Sequence, residues 1–172
     1  MFQIGDQIIY GSTGVCKVTD VTTPDIGEAK GKLYYVLAPL YQDGVIYTPV
    51  ESKVFMRPII TKEEAEALID SIPTVEAEAY HNPVLRELEA HYDSYLRTHS
   101  CEDLIRLTMS TYAKKQAMAQ QNRKFGAVDE RFMKRAEDLL QGELSASLGI
   151  PREQVGDYIA ARVSAKRQKA GA

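Results

Sequence analysis

Residues 2–18 read FQIGDQIIYGSTGVCKV, in which an apolar run is followed by two glycines that flank two hydroxyl side chains. Such a stretch is either a loop that binds phosphate or a turn between two strands. A P-loop would continue with Lys and then Ser or Thr and would open a helix, whereas the residues after Gly14 are again strand-like. Residues 2–18 therefore predict two strands joined by a turn at residues 11–14.

Short strand-like runs continue from this hairpin to about Pro58. The runs of β-branched and aromatic residues lie at residues 6–10, 14–18, 33–37 and 44–48. Glycine and proline separate them at the spacing of a small antiparallel barrel, which differs from the spacing of βαβ units. Asp43 and Gly44 indicate a further hairpin. The first part of the chain is therefore predicted as an antiparallel β-barrel.

After Pro58 the pattern becomes helical. Thr61 and Glu64 have the spacing of a capping box, and Pro73 is expected to end the helix that they begin. The sequence thus predicts an α+β fold in two domains. These are a barrel at residues 1–58 and a bundle of about five helices at residues 59–172, with residues 56–60 as the linker and the last few residues frayed.

Polar side chains and breaks set the expected ends of the later helices. Asn82, Ser100 and Asp129 are candidate N-caps of the second, third and fourth helices. The last helix is predicted to run from Arg152 to about Val163, with residues 166–172 frayed. The apolar stripe of the third helix is predicted to contain Leu104, Leu107, Thr108, Thr111 and Tyr112.

Composition sets limits on partners and on location. The chain has 172 residues, of which 44% are hydrophobic, and a formal net charge of −3. No apolar run approaches the length of a membrane span and no signal peptide is recognisable, so we expect a cytoplasmic protein. The charge is uneven, because residues 59–91 carry 2 Lys/Arg and 8 Asp/Glu whereas residues 92–172 carry 14 and 10. The last half is therefore basic within an acidic protein, which permits a local phosphate-binding face without requiring one.

The sequence does not predict an active site. Cys16 alternates with its neighbours in a strand and is interpreted as a small buried hydrophobe, and both cysteines are expected to be reduced. The histidines that a catalytic thiol would need all lie in the other domain. His91, His99 and Cys101 match no zinc spacing. We therefore expect no enzymatic activity, no metal, no cofactor and no small-molecule substrate.

The basic residues of the second domain have two interpretations. They lie mostly outside the apolar stripes and could form a solvated surface or bind DNA phosphates, which require positive charge but no particular sequence. These residues are Arg106, Lys114, Lys115, Arg123, Lys124, Arg131, Lys134 and Arg135.

Three groups of motifs follow one another along nearly the whole chain. Residues 2–15 contain an apolar residue, Gly-Asp, a strand, Tyr and a glycine-containing turn. Residues 47–50, YTPV, precede residues 56–60, MRPII, and residues 129–150 contain AEDLL and GEL. In this order the motifs resemble the CarD/CdnL family of bacterial transcription regulators that bind RNA polymerase.

The resemblance implies a Tudor-like or SH3-like barrel that binds the polymerase β subunit, a module shared with the transcription-repair coupling factor. An exposed strand edge could pair with a strand of that subunit. Tyr47 stands where some relatives carry an arginine that meets polymerase, so Tyr47, Val45 and Pro49 are the predicted polymerase-binding residues. The alternative for Tyr47 is ordinary packing within the barrel.

The resemblance also implies that the helical domain contacts promoter DNA at the upstream edge of the transcription bubble and alters the lifetime of the open complex. Family members use a tryptophan there as a wedge, but this chain contains no tryptophan. Tyr80 or Leu85 would replace it, or no wedge is present. The predicted phosphate-binding residues are Arg86, Lys114, Lys115, Arg123 and Lys124. The alternative is a polymerase-bound adaptor whose helices recruit another protein.

Overall fold

The computed structural model describes residues 1–25, 27 and 30–170. Within these residues, five strands come first: β1 (Gln7–Tyr10), β2 (Gly14–Thr22), β3 (Tyr34–Pro39), β4 (Ile46–Pro49) and β5 (Met56–Pro58). Five α-helices follow: α1 (Lys62–Ser71), α2 (Leu85–Leu96), α3 (Cys101–Gln120), α4 (Ala127–Leu148) and α5 (Arg152–Ala170). The predicted α+β architecture, a β domain followed by about five helices, is confirmed.

The strands form one antiparallel sheet in the order β4-β3-β2-β1-β5. Strand β5 lies beside β1, so β4 and β5 are the two edges of the sheet in the described part of the chain. Alternate residues of the inner strands face a common core. The buried residues of this core are Ile8, Cys16, Val18, Tyr35 and Leu37.

The turn at residues 11–14 is confirmed. Tyr10 pairs with Gly14 across the hairpin. Gly11 and Gly14 have φ angles of 46° and 97°, in the region that glycine adopts without steric cost. The N–H of Gly11 donates to the carbonyl oxygen of Phe55 at 2.8 Å, which ties the turn to the residue before β5. The two glycines therefore serve the fold of the β domain.

The prediction of a linker at residues 56–60 was wrong, because residues 56–58 form β5. Met56 pairs with Tyr10 and Pro58 pairs with Ile8. A strand of three residues that ends in proline is too short to show a period of two in the sequence. The helical domain consequently starts directly from the sheet.

Local signals marked two helix starts correctly. The N–H of Glu64 donates to Thr61 Oγ1 and the N–H of Thr61 donates to Glu64 Oε1, both at 3.1 Å, which is the predicted capping box. Ser100 caps α3 by accepting from the N–H of Asp103. A 3-10 turn, Ile72–Thr74, follows α1 where Pro73 was expected to end it. The N-caps of α1 and α3 were therefore predicted correctly from nearby side chains.

Two predicted N-caps and two other details were wrong. Asn82 accepts from the N–H of Val84 at 2.9 Å, so it orders the turn before α2 and is not its cap. Asp129 lies inside the first turn of α4, whose N-cap is Gly126. Tyr112 is 53% exposed and lies off the buried stripe of α3. Helix α5 continues to Ala170, beyond the expected end, and residues 171 and 172 lie outside the described residues.

The five helices share one core. It is built from α1, α2, α3, α4 and the start of α5, with α4 at the centre because it contacts each of the other helices. Its fully buried residues include Ala65, Ile69, Tyr92, Leu107, Ala136, Leu144 and Val155. Helix α4 has two buried charged residues, Asp129 and Glu143, which are 4% and 1% exposed.

Glu143 joins the two domains. Its carboxylate accepts from both terminal nitrogens of Arg57, in β5, at 2.7 Å. It also accepts from the N–H of Ile60 at 3.0 Å and from the thiol of Cys101 at 3.1 Å. The Nε and Nη2 atoms of Arg57 donate to the carbonyl oxygen of His99 at 3.1 and 2.8 Å. One ion pair thus connects the sheet, α4 and the start of α3.

A second contact between the domains requires a glycine in α4. The hydroxyl of Tyr41 donates to the carbonyl oxygen of Gly142 at 2.7 Å, and its ring lies flat enough on the helix that a Cβ at Gly142 would be 2.9 Å from it. The guanidinium of Arg152 lies 4.6 Å from the centroid of this ring. Tyr41 is therefore held between α4 and α5.

We expect Glu143→Gln to lower the free energy of unfolding by about 3–5 kcal/mol, because it leaves the charge of Arg57 buried without its partner. Urea denaturation measures this change. Asp93→Asn is the control, since it breaks an exposed pair with Arg97 and should cost less than about 1 kcal/mol. Equal effects of the two substitutions would contradict a central role for the buried pair.

We expect Gly142→Ala to destabilise the protein by about 1–3 kcal/mol, because the new methyl group displaces the ring of Tyr41. Gly156→Ala in α5 is the matched control. A Cβ at Gly156 meets no atom within 4 Å, so the substitution should stabilise the helix by up to about 1 kcal/mol. Thermal unfolding compares the two variants, and a stabilising Gly142→Ala would contradict the close packing of Tyr41.

Candidate functional surfaces

The first candidate surface is the outer face of β4. Val45 and Tyr47 are 60% and 62% exposed, and Pro49 is half-buried. Thr48, on the opposite face of the strand, is 1% exposed. The alternation of β4 therefore places the three predicted polymerase-binding residues on one side. Packing inside the barrel, the alternative for Tyr47, does not describe this side chain.

The neighbouring strand enlarges this surface. Tyr34 pairs with Pro49 and Val36 pairs with Tyr47, and both residues of β3 are half-buried on the outer side. The sequence analysis missed these two residues, although the alternation of residues 34–37 is the signal that would have found them. We call the outer face formed by Tyr34, Val36, Val45, Tyr47 and Pro49 the β4 face.

The β4 face borders a strand edge. Because β4 is the last strand on its side of the sheet, half of its backbone N–H and C=O groups have no partner strand in the described part of the chain. Such an edge can accept a strand from another protein, while adjacent side chains provide specificity. An apolar face next to an open edge is therefore suited to docking by strand addition.

The second candidate surface is one end of the helical domain. Helices α2, α3 and α4 run in alternating directions, and Glu89 near the start of α2 pairs with Arg131 near the start of α4 at 3.1 Å. Lys114, in the second half of α3, reaches Asp129 at 2.9 Å. The start of α2, the end of α3 and the start of α4 thus lie together. The β domain contacts α4 further along the helix, at residues 135–143.

Lys114 is not available at this end, which corrects the prediction that it binds phosphate. It is 5% exposed, and its ammonium donates to Oδ1 of Asp129. The hydroxyl of Tyr92 donates to the same oxygen at 2.5 Å. Burial and the charge of Asp129 raise the pKa of Tyr92, so this hydroxyl remains protonated. Tyr92, Lys114 and Asp129 therefore cross-link α2, α3 and α4.

The other four predicted cations are exposed. Lys115 lies 3.9 Å from Glu130 and 5.8 Å from the ring centre of Phe125. Arg86, Arg123 and Lys124 form no ion pair with the residues that the structure describes. We call Arg86, Lys115, Arg123 and Lys124 the basic end.

The two candidates for the wedge differ in exposure. The ring of Tyr80 stacks on His91, with centroids 3.6 Å apart and planes 13° apart, and its hydroxyl accepts from Asn82 Nδ2 at 3.2 Å. Burial lowers the pKa of His91, which favours the neutral ring in this stack. Leu85, at the start of α2, is 61% exposed, and the preceding Val84 is 46% exposed. Leu85 is therefore the candidate that can reach a partner without rearrangement.

The cluster between the domains has no reactive thiol. Burial and the adjacent charge of Glu143 raise the pKa of Cys101, and burial raises the pKa of Cys16 to about 11. Both cysteines are free, as expected. Burial alone would lower the pKa of Arg57, but the hydrogen bonds and charge of Glu143 outweigh it and raise the pKa. The cluster is therefore a charged anchor.

Glu143 was not among the residues predicted from the sequence, although an acidic residue between Leu140 and Leu144 on an apolar stripe is a detectable signal.

Among the described residues, no helix combines the length and apolar character that crossing a membrane requires.

Comparison with known proteins identifies the β domain. No curated protein matches the chain. Residues 2–60, about a third of the chain, match the family model of the CarD-like/TRCF RID domain, a module that interacts with RNA polymerase. The match ends two residues after β5 and does not extend to the helical domain. Residues 2–60 therefore form a CarD-like/TRCF RID domain, which makes the chain an RNA polymerase-interacting protein related to transcription.

Proposed function

We propose that the protein is a non-enzymatic regulator of bacterial transcription that acts in the cytoplasm. In this proposal the β4 face binds the β subunit of RNA polymerase, and the basic end contacts promoter DNA at the upstream edge of the transcription bubble. The match of residues 2–60 to a polymerase-interacting domain carries the proposal. The lifetime of the open complex is the quantity that the protein would change.

Strand addition at β4 accounts for polymerase docking. The open edge supplies backbone hydrogen bonds, which are independent of sequence, and the β4 face supplies apolar contacts. Tyr47 is suited to a central role because an exposed aromatic ring buries a large area with few rotatable bonds. Val36 and Pro49 flank it and would exclude water from the contact.

Docking would make weak DNA contacts sufficient. A protein held on polymerase has a high effective concentration at the promoter, so a few phosphate contacts can act without strong free DNA binding. Arg86, Arg123 and Lys124 support such contacts because no carboxylate of the described residues neutralises them. The net negative charge of the chain does not oppose such contacts, because phosphate binding depends on the local charge of the basic end.

Leu85 and Val84 are the proposed wedge. Their exposed apolar side chains precede Arg86, so apolar surface and positive charge occur together at the start of α2. Apolar side chains that enter the minor groove unstack a base step and stabilise distorted DNA. Tyr80 would instead support this region from behind, through its stack on His91.

We expect Tyr47→Ala to weaken binding to core RNA polymerase by about tenfold or more, as truncation of a central interface aromatic does. A titration with fluorescently labelled protein measures the dissociation constant. Tyr112→Ala is the control, because Tyr112 is 53% exposed but lies in the helical domain. Unchanged binding of Tyr47→Ala would remove the β4 face from the proposal.

We expect the double variant Arg123→Ala with Lys124→Ala to shorten the lifetime of the open complex. It should also reduce the slope of the logarithm of that lifetime against the logarithm of salt concentration, by about the amount that two phosphate contacts contribute. Each contact that is lost leaves its phosphate's counterions in place, so fewer counterions are released on binding. Measurements of open-complex decay at several salt concentrations, with polymerase saturated by the protein, give both values.

The control for this experiment is Lys166→Ala with Lys169→Ala, which removes the same charge from α5. The control should leave the salt dependence unchanged. Leu85→Ala should shorten the lifetime and leave the salt dependence unchanged, since it removes apolar contact only. If the polymerase-bound protein has no effect on DNA and the variants behave like the parent, the adaptor alternative replaces the proposal.

A further inference from the structure

Helices α1 and α3 leave a groove between them. Both pack on α4, and within the described residues they are not packed along each other. Two adjoining cavities of about 730 and 460 Å³ occupy the space, and Leu68, Ser71 and Glu102 line both. We call this space the α1–α3 groove. A cavity of such volume is within the range of natural binding sites.

One face of α1 is free because its other two faces are occupied. Ala65 and Ile69 point into the helical core and are fully buried. Glu66 and Asp70 bind Arg162 of α5, at 2.5 and 2.8 Å. The remaining face, with the helical spacing of three and four residues, lines the groove and consists of Glu64, Ala67, Leu68 and Ser71.

The opposite wall comes from the first turns of α3 and from the chain before and after α1. Glu102 and Ile105 face the groove from α3. Ile60 and Val75 close its floor at either end, and both also pack against the helical core. The groove therefore has an apolar floor along the length of α1.

The rim of the groove is acidic. Glu64, Glu76 and Glu102 are exposed, and none of them forms an ion pair with the residues that the structure describes. Arg106, at the far end, is within 3.7 Å of Asp103. Three carboxylates around an apolar floor are complementary to a surface that is apolar in the middle and basic at its margins.

We propose that the α1–α3 groove docks an amphipathic helix of a partner protein, with leucine-like side chains on the floor and Lys or Arg against the rim. The groove follows α1, which has 10 residues, so it holds a helix of about three turns. Helix-in-groove recognition of this kind reads apolar anchors at spacings of three, four and seven residues.

This proposal goes beyond the polymerase and DNA contacts. The groove uses the first half of α3, whereas Lys115 of the basic end lies nine residues after Arg106, about 14 Å along the helix. The two surfaces can therefore be occupied at the same time. Arg57 and His99 line the groove where it meets the β domain, so its occupant would also touch the anchor between the domains.

Binding of a synthetic peptide to the full chain tests the proposal. The probe is a fluorescein-labelled peptide of about 14 residues, in which Leu and Lys form one apolar and one basic helical face. Ala67→Lys places a cation inside the groove and should weaken binding by about tenfold or more. Ala161→Lys adds the same charge at an exposed alanine of α5 and should leave binding within about twofold.

Amide chemical shifts locate the bound peptide, and we expect changes at Ala67, Leu68 and Ile105. Equal binding by the two lysine variants, equal binding of a scrambled peptide, or no binding to the parent protein would overturn the proposal. Sedimentation tests for a second copy as occupant, since a dimer that Ala67→Lys dissociates would also overturn it. Circular dichroism verifies that both variants are folded.

Discussion

The structure depends on one buried carboxylate. Glu143 is 1% exposed, and its two oxygens accept from Arg57, from the N–H of Ile60 and from the thiol of Cys101. Removal of a carboxylate and a guanidinium from water is costly, and only such a complete set of hydrogen bonds offsets the cost. The same geometry is specific, because two parallel bonds to a planar guanidinium fix orientation as well as distance. Strand β5 and helix α4 are therefore locked together at this point.

The ion pair of Arg57 and Glu143 supports the proposed function by fixing the two domains together. The β4 face belongs to the sheet and the basic end belongs to the helices, so polymerase and DNA could be engaged together only if the domains keep a defined relation. Arg57 also binds the carbonyl oxygen of His99, and the ring of Phe55 stacks on the ring of His99 with centroids 4.3 Å apart. The turn between α2 and α3 is thereby attached to the sheet. Because the two domains are rigidly connected, binding at the β4 face would also fix the position of the basic end.

The α1–α3 groove and the basic end carry opposite charges. The α1–α3 groove is rimmed by carboxylates, whereas three of the four cations of the basic end, Arg86, Arg123 and Lys124, have no ion-pair partner among the described residues. Between them, Lys114 and Asp129 form a pair that is almost fully buried and that Tyr92 completes. A net charge of −3 therefore conceals two surfaces of opposite sign, and each is suited to a different class of partner.

Features that depend on near neighbours were predictable from the sequence. The turn at residues 11–14, the capping box at Thr61, the cap at Ser100 and the change from strands to helices after Pro58 all follow from side chains within a few positions of each other. The order of motifs also indicated the family, and the match at residues 2–60 confirms this for the β domain.

Which of two similar residues is exposed to a partner depends on the tertiary structure. Lys114 and Lys115 are adjacent in sequence, but one is buried against Asp129 and the other is exposed. Tyr80 packs on His91, whereas Leu85 is exposed to solvent. An apolar stripe predicts which face of a helix is buried, but the burial of a polar residue beside that stripe depends on helices far away in the chain. The pairing of Arg57 with Glu143 was hidden for the same reason, because its partners meet only after the sheet and α4 have packed.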